Sequence, residues 1–350
     1  MRILYGIQGT GNGHLSRARV MAKSLQEAEV HVDFFFSGRC QSQFFDMQCF
    51  GEYQVEAGLT FATQHGRVSR AKTAWKNSVP SLLSDIHSLD LSGYDLVLND
   101  FEPVSAWAAK LQGVPSIGIS HQAALKHAVP KAGESWFNDA LLNYFAPVDI
   151  SLGCHWHHFG FDILPPFVEV EPAISNNAHE IVVYLPFEDA DAIVSLLAPF
   201  TDYRFYIYHG DKPTLQCPEH IIWSGFNREG FKLRLSSCGG VISSAGFELA
   251  SEALTLGKKL LVKPLQGQFE QLSNVAALEL LGAAETMASL DNEALRRWLK
   301  SAAPEPIHYP QVGDALVKWL LSGEWHTGDK LCRQLWNEVE LPQSWQRKSP

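Results

Sequence analysis

His14, Asp100 and His121 are the polar side chains placed for proton chemistry. Each follows a short apolar run: Arg2-Ile3-Leu4-Tyr5-Gly6-Ile7, Leu96-Val97-Leu98 and Ile117-Gly118-Ile119. A histidine beside a carboxylate can act as a general base, because the carboxylate fixes the ring tautomer and raises its basicity. His14 closes the segment Gly9-Thr10-Gly11-Asn12-Gly13-His14, ahead of the helix-like Ser16-Arg17-Ala18-Arg19-Val20-Met21-Ala22. Strand, glycine turn and helix bring a backbone close to a phosphate or a sugar. Asp100, with Glu102 nearby, precedes Pro103 and a helix, so proton chemistry and helix capping compete for it equally. A lone histidine after a strand is more often a hydrogen-bonded loop residue. Convergence of three such groups at one sheet edge is what selects His14 as the base, with His121 a further candidate in the same crevice.

A dinucleotide fingerprint would place a third glycine at His14 and an acid at the end of the second strand. That strand ends Phe36-Ser37-Gly38, with Asp33 inside it. Two departures argue against a nicotinamide enzyme.

The second half repeats the strand-turn-helix arrangement twice. In Ser243-Ser244-Ala245-Gly246-Phe247-Glu248-Leu249-Ala250-Ser251-Glu252, Gly246 opens a helix whose free N–H groups and positive dipole end suit a diphosphate. Ser244, Gly246 and Phe247 form the turn, and Glu252 is spaced to take a ribose diol. In Pro264-Leu265-Gln266-Gly267-Gln268-Phe269-Glu270-Gln271-Leu272-Ser273-Asn274, the polar residues Gln268, Glu270 and Gln271 crowd a helix's first turn, where they can bind sugar hydroxyls. Either motif alone reads as a capped helix; chance rarely places both at adjacent strand ends.

On these residues the chain resembles the GT-B glycosyltransferases, in particular the family 28 branch of the peptidoglycan N-acetylglucosaminyl transferase. It is still more similar to a little-characterised prokaryotic group of that superfamily with a Gly-rich His loop and a Gly-Gln-x-Glu-Gln segment. The resemblance implies that Gly9 to His14 is the acceptor-side loop and His14 the base or an acceptor-site residue. It implies that Gly246, Ser251, Glu252 and Gly257 form the donor motif, with Glu252 on the ribose. Glu270, Gln271 and Asn274 would contact the donor sugar and diphosphate. A uridine nucleotide follows from the resemblance alone. Ser244-Ala245-Gly246 lacks the arginine the branch often carries there, and Glu270 stands for a Gln or Asp.

The elements that must position these groups alternate. Strand signals at Val30–Phe36, Asp95–Asn99 and Ser116–Ser120 flank a helix over Ala106–Gln112. After the turn-rich Leu164-Pro165-Pro166-Phe167, strands restart at Glu180–Leu185, Tyr203–Tyr208, Ile221–Trp223, Gly240–Ser244 and Lys259–Lys263. Helices are expected over Asp189–Leu197, Phe247–Leu256 and Gln268–Leu281. The fold class is therefore α/β, two Rossmann-like parallel-sheet domains facing a cleft. The expected division is 1–166 for the acceptor side, 167–310 for the nucleotide sugar and 311–350 for a helical segment packing back on the first domain.

Hydrophobic residues make up 46% of the 350, charged residues 19%, and the net charge is −10. That supports large cores and excludes general electrostatic binding of nucleic acid. Six cysteines at irregular spacing, without a C-x-x-C pair, read as reduced thiols of a cytosolic protein. The first residues read as a strand rather than a signal peptide, and no apolar run approaches a membrane span. The expected location is the cytoplasm, with peripheral contact on the inner membrane face as the alternative.

Three segments imitate functional sites. Asp189-Ala190-Asp191 has a metal-binding spacing but sits in a helix's first turn. His155-Trp156-His157-His158 beside Cys154 lacks a second ligand pair for zinc. The helical aromatic segment Trp136-Phe137 to Tyr144-Phe145 reads as core packing, with a lipid acceptor surface as the alternative. The expected activity is transfer of a sugar from a nucleotide diphosphate to an acceptor hydroxyl, inverting, without metal or tightly bound cofactor. A nucleotide-sugar 2-epimerase and a non-catalytic nucleotide-binding protein are the rivals.

Overall fold

A computed structural model describes residues 1–59, 63–64, 67–68, 79–170 and 175–346. Two six-stranded parallel sheets form the frame. The first contains β1 (Arg2–Gln8), β2 (His31–Ser37), β3 (Tyr53–Glu56), β6 (Leu96–Asp100), β7 (Ser116–Ser120) and β8 (Ile150–Gly153), in the order β3-β2-β1-β6-β7-β8. A separate two-stranded antiparallel pair joins β4 (Thr63–Gln64) and β5 (Arg67–Val68). The second sheet contains β9 (Asn177–Tyr184), β10 (Arg204–Tyr208), β11 (Ile221–Ser224), β12 (Cys238–Ser243), β13 (Lys259–Val262) and β14 (Glu285–Thr286), in the order β11-β10-β9-β12-β13-β14. Both sheets have the doubly wound order in which the chain reverses direction of growth beside its first strand. The reversal lies between β1 and β6 in one sheet and between β9 and β12 in the other. The crevice beyond those strand ends is where such sheets bind ligands.

Helices of the first sheet are α1 (Asn12–Glu27), α2 (Val79–Ser88), α3 (Pro103–Gln112), α4 (His121–Ala124) and α5 (Trp136–Tyr144). Those of the second are α6 (Ala190–Leu197), α7 (Arg228–Ser237), α8 (Phe247–Thr255), α9 (Phe269–Leu281) and α10 (Asn292–Leu299). The chain continues into α11 (Val312–Ser322), α12 (Gly328–Asn337) and α13 (Gln343–Gln346). The strands at the centre are fully buried apolar runs, as at β6 and β12, because helices cover both faces. One apolar cluster runs from Tyr5, Leu15 and Met21 through Trp156 and Phe247 to Val241 and Val262, so the two halves share a core. The terminal helices lie against the first half: Ser24 in α1 donates to Asp314 in α11 at 2.7 Å, and Trp336 in α12 donates to the Ile163 carbonyl at 2.7 Å.

The aromatic helix departs from the core packing expected of it. Trp136 is 82% exposed, and Phe137 and Tyr144 are exposed beside it, while Leu142 supplies the buried contact of α5. All six cysteines are free thiols.

Candidate active site

The glycine loop leaves β1 and turns into α1 with Gly11 as its cap residue. Gly9 donates to the Ser37 carbonyl at 2.6 Å, and a Cβ on it would lie 2.7 Å from both that oxygen and the Phe44 ring. Only glycine allows that approach. Thr10 accepts from Gln8 at 3.2 Å. Arg39 clamps the loop from the end of β2, donating to the Gly9 carbonyl and to Asn12 Oδ1, the latter at 3.2 Å. Asn12 in turn donates to the Tyr184 hydroxyl at the end of β9, 3.0 Å away. At Gly13 a Cβ would collide with the Glu248 carboxylate of α8. Glycine here lets the second half close on the first.

His14 projects from the first turn of α1 and is about one-tenth exposed, at 11%. Its Nδ1 lies 2.8 Å from Asp100 Oδ1. Arg17, one turn further along α1, donates from Nε to Asp100 Oδ2 at 2.8 Å and from Nη2 to Oδ1 at 2.7 Å. The same Nη2 lies 3.1 Å from His14 Nδ1. Both groups cannot donate to each other, and the network decides between them. Arg17 already has its acceptor in Asp100, so Nδ1 carries the proton and donates to the carboxylate. Nε2 then holds the lone pair, and the Gln122 amide nitrogen points at it from 3.4 Å. Burial alone would raise the Asp100 carboxyl; the Arg17 charge and the hydrogen bonds from His14 and Arg17 overcome that and hold it below the ordinary range. Asp100 is thus not the helix cap. Glu102 caps α3, accepting from the Val104 and Ser105 amides at 2.8 and 2.6 Å. The residue after Asp100, Phe101, has a φ of 53°, a left-handed conformation costly for an aromatic residue and held beside the site.

Arg17 also pairs with Glu248 in the first turn of α8. It is fully buried and bridges the halves. Gln122 does the same, donating to the Glu270 carboxylate at 2.8 Å. His14, Asp100 and Glu270 therefore meet at one place, linked by Arg17, Glu248 and Gln122. Those three linkers were not expected from the sequence. Arg17 carried one usable signal, its position three residues after His14 on the same helix face.

Several expected ligand contacts are interior links instead. His121 is 1% exposed, with Nδ1 2.9 Å from the Cys154 carbonyl and Nε2 2.6 Å from Asn274 Oδ1, so neither nitrogen is free for an acceptor. Asn274 is fully buried and spends its amide on the Ala245 carbonyl at 2.9 Å. Phe247 stacks on His121 at 4.0 Å and packs on Trp156 at 4.9 Å, which takes its ring out of reach of a donor. Gln268 caps α9 through the Gln271 amide at 2.6 Å, and Gln271 accepts from the Leu265 amide at 2.7 Å.

Ser244 and Gly246 remain at the turn into α8. A Cβ on Gly246 would meet nothing within 4 Å, so space lies open before the helix N-terminus. Glu252 is half-buried, and its carboxylate has no hydrogen bond among the described residues. Burial, with Lys232 and Arg228 opposing it and Glu248 adding to it, pushes Glu252 up to about 7. The imitations have structural roles. Asp189 caps α6 through the Ala192 amide at 2.9 Å, and Asp191 holds the Thr214 and Leu215 amides at 2.7 and 2.9 Å. His155, His157 and His158 each accept a nearby backbone N–H within their own loop, at 2.9, 3.0 and 2.9 Å. Among the described residues no cluster of three His, Cys, Asp or Glu could hold a metal ion, and no helix is long and apolar enough to cross a membrane.

The family model described as glycosyl transferase family 1 matches residues 1–148 and 160–303. The chain belongs to that family. This glycosyltransferase has the GT-B architecture, and its structural neighbours share it. SnogD, a glycosyltransferase from Streptomyces nogalater, is 16% identical with a TM-score of 0.56 and 96% of each chain covered. The spinosyn rhamnosyltransferase SpnG is 14% identical with a TM-score of 0.60, over 96% of this glycosyltransferase and 100% of SpnG. MurG of Acinetobacter baumannii is 15% identical with a TM-score of 0.53 over 95% of each. A search of the curated proteins finds no significant match.

Proposed function

We propose that this glycosyltransferase moves a sugar from a nucleoside diphosphate donor, UDP-linked by its resemblance to the peptidoglycan branch, to an acceptor hydroxyl with inversion. The observation that carries the reading is the His14 ring, fixed by Asp100 so that Nε2 is the basic nitrogen, 3.4 Å from a side chain that also touches Glu270. Nε2 takes the acceptor proton as the acceptor oxygen attacks the anomeric carbon. The bond from that carbon to the phosphate oxygen breaks, and the nucleoside diphosphate leaves with the electron pair. Asp100 stabilises the imidazolium. The N-terminus of α8 receives the diphosphate, and Arg17 neutralises Glu248, whose charge would otherwise repel it. Glu252 takes the ribose diol and Glu270 a hydroxyl of the donor sugar. Structural neighbours support a nucleotide donor in general terms: one is SpnG complexed with thymidine diphosphate.

The reading requires neither a divalent ion nor a resident cofactor, so kcat is expected to survive EDTA. The exposed Trp136, Phe137 and Tyr144 support peripheral contact with a membrane face, which co-sedimentation with anionic vesicles tests. A thermal-shift series with UDP-, GDP-, ADP- and dTDP-sugars tests the donor site. A ligand at one hundred times its Kd adds about 2.7 kcal/mol to stability. No shift with any of them overturns the reading. With a donor that binds, His14→Ala is expected to lose about 10²–10⁴ in kcat. Release of an isomeric nucleotide sugar from donor alone identifies an epimerase instead.

A further inference from the structure

Gln122 has one polar atom its surroundings do not use. The residue is 8% exposed. Its amide nitrogen donates to Glu270 Oε2 at 2.8 Å and points at His14 Nε2 from 3.4 Å. Its amide oxygen is buried without a hydrogen-bond partner among the described residues. The orientation is set by the neighbours: turned over, the oxygen would face the Glu270 carboxylate, acceptor against acceptor. An unpaired buried acceptor is unfavourable, so the side chain has an incentive to turn once a hydroxyl is available to it. The atom it covers is the one that must take the acceptor proton. The contact to that atom is long and weak, so a substrate hydroxyl displaces it at small cost. The group that anchors Gln122 is the one assigned to the donor sugar.

We propose that Gln122 is a positioning residue that covers the base until the donor sugar has bound, and so opens the base to an acceptor after the donor is in place. The inference rests on the reading of His14 as base and Glu270 as sugar ligand. A sugar hydroxyl takes Glu270, the freed Gln122 offers its carbonyl oxygen to the sugar, and Nε2 opens to the acceptor.

Nitrogen NMR of histidine-labelled protein tests the cover without any substrate. The His14 signals are assigned by their loss in His14→Gln. The Nε2 resonance is expected to differ between wild type and Gln122→Met, which keeps the side-chain length but donates no hydrogen bond. Equal resonances overturn the cover. Glu270→Gln, which leaves the Gln122 backbone site untouched, provides a second variant and is expected to shift the same signal if Gln122→Met does not fold. UDP-glucose, UDP-N-acetylglucosamine or dTDP-glucose, whichever raises the melting temperature, should move the wild-type Nε2 signal toward the Gln122→Met value. A donor that binds without moving it overturns the hand-over. If no donor binds, the function fails while the substrate-free comparison still decides whether Gln122 covers Nε2.

Discussion

Asp100 is fully buried and stays charged because Arg17 spans both its oxygens while His14 donates to one. Arg17 thereby absorbs most of the carboxylate's charge and leaves it chiefly the task of orienting the imidazole. Asp100→Asn cannot serve both donors, since one face of the amide is itself a donor. We expect kcat to fall by about 10²–10⁴. Stability should fall by about 3–5 kcal/mol, the usual cost of unpairing a buried charge, reduced where Glu248 still serves Arg17. Transfer assays and urea denaturation of the same samples check both; full activity in a folded variant would remove Asp100 from the mechanism. Glu252 shows the opposite balance. Its folded carboxyl titrates near 7 against an ordinary 4.5, so between those values the folded state binds the extra proton and stability falls as pH rises. Glu252→Gln should therefore melt higher than wild type at pH 8, match it below pH 4.5, and bind nucleotide more weakly. Gain of stability with loss of affinity is the signature of a carboxylate kept for a ligand; unchanged nucleotide affinity by calorimetry would exclude the ribose role. His14, Asp100 and Glu252 were legible as candidates because His14 closes a glycine turn, Asp100 ends an apolar strand and Glu252 sits in the helix that Gly246 opens. Arg17 was not, because a basic residue on an amphipathic helix reads as solvated until the other half supplies Glu248.

The elements divide by position in the sheets. The central strands β1, β6, β7, β9, β12 and β13 are legible within about three residues, since burial on both faces makes their cores continuous apolar runs. The edge strand β3, by contrast, alternates half-buried and exposed residues, and β8 is four residues long, so neither gave a pattern distinct from a loop. Helix α5 misled for a related reason: aromatic spacing marks an apolar face, not what covers it. The loop carrying His155, His157 and His158 lies between β8 and the second half, with His158 and α12's Trp336 edge to face at 5.4 Å. Burial, with His158 beside it, lowers His157 to about 4 from an ordinary 6.5. The unfolded chain therefore binds the extra proton between those values, and stability declines as pH falls from 6.5 towards 4. The full effect of such a shift is about 3 kcal/mol. His157→Asn keeps an acceptor for the Phe159 amide but does not titrate. Its acid limb should be shallower than that of wild type in pH-dependent melting, and an identical limb would place the acid sensitivity elsewhere.

Across the whole molecule the two sheets are joined by polar links as well as by apolar contact. Asn12 reaches Tyr184 at 3.0 Å, Gln122 reaches Glu270 at 2.8 Å, His121 lies 2.6 Å from Asn274, and Trp156 donates to Ser251 at 2.9 Å. Arg17 and Glu248 add a charged pair at the centre, with the arginine fully buried. Such a pair contributes little net stability against an apolar replacement, yet losing one partner leaves an uncompensated buried charge. Its effect is to make the electrostatics around His14 depend on the second half being in place. A double-mutant cycle measures that dependence. Arg17→Met and Glu248→Leu should each destabilise by a few kcal/mol, with Arg17→Met the more severe because it also uncovers Asp100. The double variant should be markedly more stable than the sum of the two losses, with a coupling energy of about 0.5–3 kcal/mol. Additive losses in urea denaturation would mean that the halves do not hold this contact in solution. In the transfer assay Glu248→Leu alone should lower kcat while the protein stays folded, because Arg17 then turns its whole charge on Asp100 and the α8 N-terminus loses the register that Glu248 gives it.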